Sequence, residues 1–395
     1  MPVSAPGSPR AYPASAPTLG MDTVEHSPPQ LVQAIGSRVW SADGAEYIDF
    51  DNASGAVLLG HRDAHVIAAV RMARSADERR GLTRYEADLS QMILTMAPGA
   101  EACLFGGQVS QALRAALIAA RLHTGREQVF VCRGAVDAAG ARRIAGPSFP
   151  FNDLVSLERL MELHGDDTAA LVLAPCARAP SPGYLTGVRA LCDRIGAVLV
   201  FDETLSGFRV HEGGAQALYG VQADLMVFGE ALANGMPLGV LAGRRDLVEA
   251  VQAAEPLRAD IASLAAAKAV LGKIMTQPVI AALRVGGAEI QAEANGRLRG
   301  TGLDGLVQLV GDPAAGRLEF RAWGGMDAGT MKSLWMNECL AHRLFTLGAV
   351  NMSYAHGERE IAVLLAAFDQ AAERLALALR QTAPSQRLRA AQSSR

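Results

Sequence analysis

From about residue 100 the chain repeats one arrangement, a short apolar run followed by a stretch of helical periodicity, and this repetition limits its fold more than any single motif does. The runs are "EQVFVCRG" (127–134), "AALVLAPC" (169–176), "GAVLVFDE" (196–203), "ADLMVFGE" (223–230) and "LGVLAGR" (238–244). They are apolar nearly throughout rather than alternating with polar residues, so each predicts a strand buried on both faces. Strands of that kind separated by helices predict an α/β fold with a mostly parallel sheet covered on both sides. Half of the 395 residues are hydrophobic, enough for a large core in two or three packed units.

The flanks differ. "SRVWSADGAEYIDF" (37–50) alternates apolar and polar residues around Asp43-Gly44, which predicts a hairpin. Helical patterns follow at 63–74 and 85–97. Towards the C-terminus, helical patterns at 263–275, 332–347 and 358–380 surround weaker strands at 305–310 and 317–323, a second, α+β unit. The expected organisation is a polar N-terminal tail (1–29), an N-terminal segment of a small domain (30–75), a large α/β domain (76–250), the C-terminal part of the small domain (251–381) and a second polar tail (382–395).

Charge and composition exclude several functions. Net charge is −3, and no basic run is interleaved with aromatic residues, so no nucleic-acid partner is expected. No uninterrupted apolar stretch of about 18 residues and no apolar leader segment stands out, so no membrane partner is expected. The five cysteines lack paired metal-type spacing and suggest a reducing, cytoplasmic setting. No Asp-x-Asp spacing supports a divalent metal, and neither a Ser-His-Asp set nor a dinucleotide fingerprint is present. His61 and His356 read as structural histidines.

The chemistry-bearing signals lie at strand ends, where doubly wound sheets bind ligands. One run ends at Asp202-Glu203, and the next ends at Glu230. Carboxyl groups on consecutive buried strands can serve as general acids or bases, or can cap helices and pair with cations. Arg209 and Arg244 are candidates for gripping a substrate carboxylate, or for pairing with those acids.

"LVFDETLSGFR" followed by "ADLMVFGEALANGMPLGVLAGRRDLVE" resembles the signature region of class III aminotransferases, most closely the glutamate-1-semialdehyde aminomutases. The likeness extends to "SADGAEYIDF", "LLGH" (58–61), "LHTGREQV" (122–129), "FNDLVSLE" (151–158) and "MSYAHGEREI" (352–361), covering roughly residues 35–380. It implies the type I fold of pyridoxal-phosphate enzymes, with a large domain, a smaller one built from N- and C-terminal segments, and a homodimer. The family's signature places a Schiff-base lysine after the strand. Here that position is Glu230, and a carboxylate cannot form an imine. All but three of the 37 basic residues are arginine, and the lysines Lys268, Lys273 and Lys332 fall beyond this loop.

The resemblance also implies roles for other positions. Asp202 matches the aspartate that pairs with the pyridinium nitrogen. The phosphate cup, Ser-Gly-Thr in the family, aligns with Gln108-Val109-Ser110, so that valine replaces a glycine. The ring that stacks on the cofactor aligns with Val136-Asp137-Ala138. A threonine reaching the phosphate from the partner subunit falls near Pro256. These changes predict that pyridoxal phosphate or pyridoxamine phosphate is bound weakly or not at all. Three readings follow: a cofactor-independent enzyme in which Asp202, Glu203 and Glu230 surround one cleft and Glu230 moves protons on a small carbonyl, amine or imine substrate; an inactive binding subunit, partnered by an active aminotransferase-like protein or by pathway enzymes; and a lysine-free enzyme holding the cofactor non-covalently.

Overall fold

The computed structural model describes residues 28–75, 78–133, 146–176 and 178–382. In chain order the strands are β1 (Leu31–Ile35), β2 (Arg38–Ser41), β3 (Glu46–Asp49), β4 (Ala102–Gly106), β5 (Gln128–Arg133), β6 (Ser148–Pro150), β7 (Thr168–Leu173), β8 (Val198–Asp202), β9 (Leu225–Phe228), β10 (Gly239–Gly243), β11 (Val307–Asp312), β12 (Ala315–Phe320), β13 (Leu344–Phe345) and β14 (Ala349–Asn351). The α-helices are α1 (Ala64–Arg74), α2 (Glu78–Met96), α3 (Val109–Thr124), α4 (Leu154–His164), α5 (Tyr184–Ile195), α6 (Gly214–Tyr219), α7 (Arg245–Ala254), α8 (Ile261–Thr276), α9 (Val279–Gly300), α10 (Ala328–Ala341) and α11 (Glu358–Thr382).

The apolar runs form a seven-stranded sheet in the order β4-β10-β9-β8-β7-β5-β6. The strands run in one direction except β10, which is antiparallel to both β4 and β9. Every residue of β7, β8, β9 and β10 is buried, as a sheet covered on both faces requires. Two core clusters line the opposite faces: Leu113, Ala116, Val172 and Val200 on one, Phe130, Leu171, Phe201 and Leu191 on the other. Because β4, β7, β8 and β9 share a direction, their carboxyl ends lie along one edge of the sheet, and the loops after them form the floor of the candidate site.

The hairpin around Asp43-Gly44 is β2-β3, with β1 beyond it and the C-terminal β13 added parallel to β3. Thus residues from both ends of the chain share one four-stranded sheet, and β11, β12 and β14 form a third. The sequence reading extends the helix after 332 too far, since α10 ends at Ala341 and the chain then enters β13. It omits α9, whose Gly286 and Gly287 weaken a helical signal; a β-carbon on Gly286 would meet Met352 and one on Gly287 would overlap the backbone of Pro313, so these glycines permit close packing of the helix.

The five cysteines are unpaired, and Cys132, Cys192 and Cys339 are buried. Among the described residues no single helix is long and apolar enough to cross a membrane.

Candidate active site

Asp202 closes β8 and is buried. Its Oδ1 accepts the backbone N–H of Thr204 at 3.0 Å and also the Thr204 hydroxyl, a local turn that sets the direction of the chain as it leaves the strand. Asp202 pairs in register with Val227 of β9, so Gly229 and Glu230 follow just beyond it on the same edge. Glu230 opens a short 3₁₀ turn, Glu230–Ala233, whose Ala231, Leu232 and Ala233 are buried.

That turn is braced from three sides. Gly229 is enclosed between Thr204 and Val109: a β-carbon there would overlap the Thr204 methyl and stand 2.9 Å from Val109 Cγ2. Asn234, at φ 51°, ends the turn, its Oδ1 accepting N–H groups from Leu58 (2.9 Å) and Leu59 (2.8 Å) and its Nδ2 donating to Gly60 at 2.9 Å. Below, Leu232 and Ala233 share a core cluster with Leu264 and Ala267 of α8.

Gln108 precedes α3 in extended conformation, with no side-chain cap, and Ser110 Oγ donates to its Oε1 at 3.3 Å. Val109, at the first position of the helix, is half-buried with its side chain facing Gly229. The segment around Pro256 folds back on this same chain: Glu255 pairs with Arg114 at 3.3 Å, and β-carbons on Gly106 and Gly107 would lie 3.6 Å from Leu257 Cδ1 and from the Arg258 carbonyl oxygen. Val136 lies outside the described residues.

The structure corrects three expectations. Glu203 does not join Asp202 in a cleft; it is completely enclosed, accepting N–H groups from Ala215 (2.7 Å) and Gln216 (3.4 Å) and the hydroxyl of Ser206 (3.0 Å). Consecutive residues of an extended chain point to opposite sides, so Asp202 and Glu203 cannot both face one space. Burial raises the Glu203 carboxyl to about 7, against those three hydrogen bonds, and Asp202 adds a smaller push in the same direction.

Arg209 holds no substrate position. It is fully buried, donating to the carbonyls of Met352 (2.8 Å), Ala314 (3.3 Å) and Gly55. It thereby joins the loop after β8 to N- and C-terminal segments. Burial lowers it to about 10, and Asp312 partly offsets this. Arg244 stands on the wrong edge of the sheet, because β10 runs antiparallel and carries it to the amino end of β9; there it bonds Asp246 (2.6 Å) and Asp224 (3.4 Å).

The lysines supply no amine here. Lys268 pairs with Asp88 at 2.5 Å and Lys273 with Asp63 at 2.6 Å, while Lys332 packs by Gly348. The sequence reading missed Thr204 and Asn234. Asn234-Gly235 is a turn dipeptide with both residues at positive φ, and this was the available signal.

The loop facing Leu205 is unusual. Asn52, Ala53 and Ser54 have φ of 49°, 52° and 56°, and Gly55 follows at 89°. Asp49 Oδ1 accepts the N–H groups of Asp51 (2.8 Å) and Asn52 (2.9 Å); Asn52 Nδ2 donates to the Asn351 carbonyl at 2.6 Å, and Asn351 Nδ2 to that of Asp51 at 3.0 Å. Asp49 Oδ2 contacts His61 Nε2 at 2.7 Å, while His356 Nε2 meets the Asp49 carbonyl at 2.8 Å and its ring stacks on Phe50. Burial lowers His356 to about 4, so its ring is neutral near pH 7, and both histidines are structural in this geometry.

Residues 151–297 match the class-III aminotransferase family model. A glutamate-1-semialdehyde 2,1-aminomutase of Desulforamulus reducens is 32% identical over 273 residues, 62% of this chain and 63% of the relative. The match thus spans a little under two thirds of that relative's length. Among solved structures, a transaminase with PLP bound superposes with a TM-score of 0.80 at 24% identity, covering 90% of this chain and 93% of the other. The FumI protein of Sphingopyxis sp., in its PLP internal aldimine form, does so at 0.77 and 26%, covering 90% of both chains. The fold is the α/β fold of type I pyridoxal-phosphate aminotransferases.

Proposed function

We propose that this aminotransferase-fold chain acts on a small carbonyl, amine or imine compound without a covalently held cofactor, with Glu230 as the group that accepts and returns a proton. The observation that carries this reading is the bracing of the turn that begins at Glu230. Gly229 is fixed between Thr204 and Val109, and Asn234 is fastened to Leu58, Leu59 and Gly60, so the backbone turn that carries this ionisable residue is anchored at both ends, at the carboxyl edge of the sheet and after the strand that pairs with the one Asp202 closes.

Pyridoxal phosphate is the cofactor that the resemblance implies, and these residues do not fit its covalent form. Residue 230 has no amine, and the branched side chain of Val109 is packed against Gly229 at the start of α3. Proton transfer requires neither group. A carboxylate takes a proton from carbon next to a carbonyl or imine and delivers it back, an effect typically contributing ~10²–10⁴-fold in rate. A second reading, a lysine-free enzyme holding pyridoxamine phosphate or pyridoxal phosphate non-covalently, draws on Asp202, buried at the end of β8 where the family's pyridinium partner stands.

The test is exchange of substrate protons with deuterated solvent, followed by NMR over a panel of small amines, ketones and imines. The wild type should exchange the proton next to the reacting carbon of at least one class, and Glu230→Gln should slow this by ~10²-fold or more. Unchanged exchange in Glu230→Gln would refute the assignment.

A further inference from the structure

We propose that Val109 is a specificity determinant that excludes phosphate-bearing ligands from this site, the space at the start of α3 being filled by the protein itself. The proposal extends the reading of a site without covalent cofactor and rests on it. A helix N-terminus attracts an anion through its exposed N–H groups and its positive dipole end, provided that the anion can approach the backbone closely. Three features of this chain oppose such an approach.

The first is steric. Val109 Cγ2 stands 2.9 Å from the position a β-carbon would take on Gly229, so the isopropyl group occupies the side of the helix start that faces Thr204 and the Glu230 turn. The second is that the helix start cannot retreat. A β-carbon on Gly239 would lie 2.5 Å from the carbonyl carbon of Gln108 and 2.8 Å from the nitrogen of Val109, so the backbone is pressed directly onto β10. The third is that the strap 255–260 covers this end of the helix. It sets the Arg258 carbonyl oxygen, the negative end of a peptide dipole, beside Gly107, and it pairs Glu255 with Arg114, so that this cation is already neutralised. Leu257 packs by Gly106 and closes the strap against the end of β4.

The test is a calorimetric titration of the full chain with pyridoxamine phosphate and, in parallel, with pyridoxamine, which differs only by the phosphate. Wild type should bind the two with affinities within a few-fold of each other. Val109→Gly should bind pyridoxamine phosphate at least tenfold more tightly than wild type does, with pyridoxamine unchanged. Val109→Ala, which keeps the helical preference and removes both γ-carbons, should show a smaller gain in the same direction and serves if the glycine variant does not fold. A wild type that already prefers the phosphate form by tenfold or more would overturn the proposal, as would folded variants with no gain. Since the readout is binding alone, it is decided independently of the exchange experiment on Glu230→Gln.

Discussion

Gly239 and Gln108 meet backbone to backbone, so the start of α3 is positioned by a strand of the sheet rather than by a cap of its own. The glycine's conformation is not the reason it is needed here; the absence of its side chain is. Gly239→Ala should destabilise the protein by at least ~2 kcal/mol, because the obstructing atoms are main chain and cannot rotate away. Urea unfolding measures this, and a loss below ~0.5 kcal/mol would contradict the contact.

Asn234 makes three hydrogen bonds to the segment at Leu58–Gly60 from a left-handed conformation. Asn234→Ala removes all three and places alanine at positive φ, an expected cost of about 2–4 kcal/mol. Asn234→Asp keeps the acceptor for Leu58 and Leu59 and loses only the donor to Gly60, so its melting temperature should fall less than that of the alanine variant.

Arg209 is buried with three carbonyl partners. Arg209→Leu leaves those carbonyls without their donor, at ~1–3 kcal/mol each, and should prevent accumulation of folded protein or lower stability by more than ~3 kcal/mol. Arg209→Lys should recover part of the loss, since an ammonium can still donate. A well-folded leucine variant that lost only substrate affinity would instead return Arg209 to the role in substrate binding expected from the sequence.

Glu203 makes stability depend on pH in a defined direction. Its carboxyl is raised to about 7 in the folded protein from the ordinary 4.5, so between those values the folded state holds the proton more firmly than the unfolded state does. Its stabilising contribution is complete below about 4.5 and is lost as pH rises through about 7, a difference on the order of 3 kcal/mol. The other ionisable groups facing it are Asp202 and Cys176, and Cys176 is itself held well above the usual thiol range by burial. Glu203→Gln, whose amide oxygen in the place of Oε2 can accept from both Ser206 and Ala215, should flatten this part of the stability profile. Denaturant midpoints at pH 5, 6, 7 and 8 decide it: an unchanged slope would mean that Glu203 does not titrate there.

Much of the central sheet was legible because doubly buried strands write themselves as apolar runs; β7 to β10 fall where those runs do. α9 was not, since its two packing glycines serve neighbours that are distant in sequence. The site divides in the same way. Adjacent acids at 202 and 203 look equivalent as letters, and only the alternation of the extended chain separates the one on the site edge from the one enclosed above α6. The direction of β10 likewise decides where Arg244 lies, and no local pattern announces that a strand is reversed. Glu230 was identified through its place in a family-like signature, whereas the Asn234 brace depends on a partner more than 170 residues away.

The left-handed turn at Asn52–Gly55 bears on the order in which the molecule assembles. Three successive non-glycine residues in that conformation oppose it locally by roughly 1–2 kcal/mol each. Besides the local bonds from Asp49, it is secured from far along the chain by the guanidinium of Arg209, 154 residues on, and by Asn351, about 300 residues on. The turn is therefore fully secured only once the body of the protein has formed, and is expected to belong to the late, native side of the folding barrier. Relieving it with Ala53→Gly should slow unfolding while leaving the refolding rate nearly unchanged.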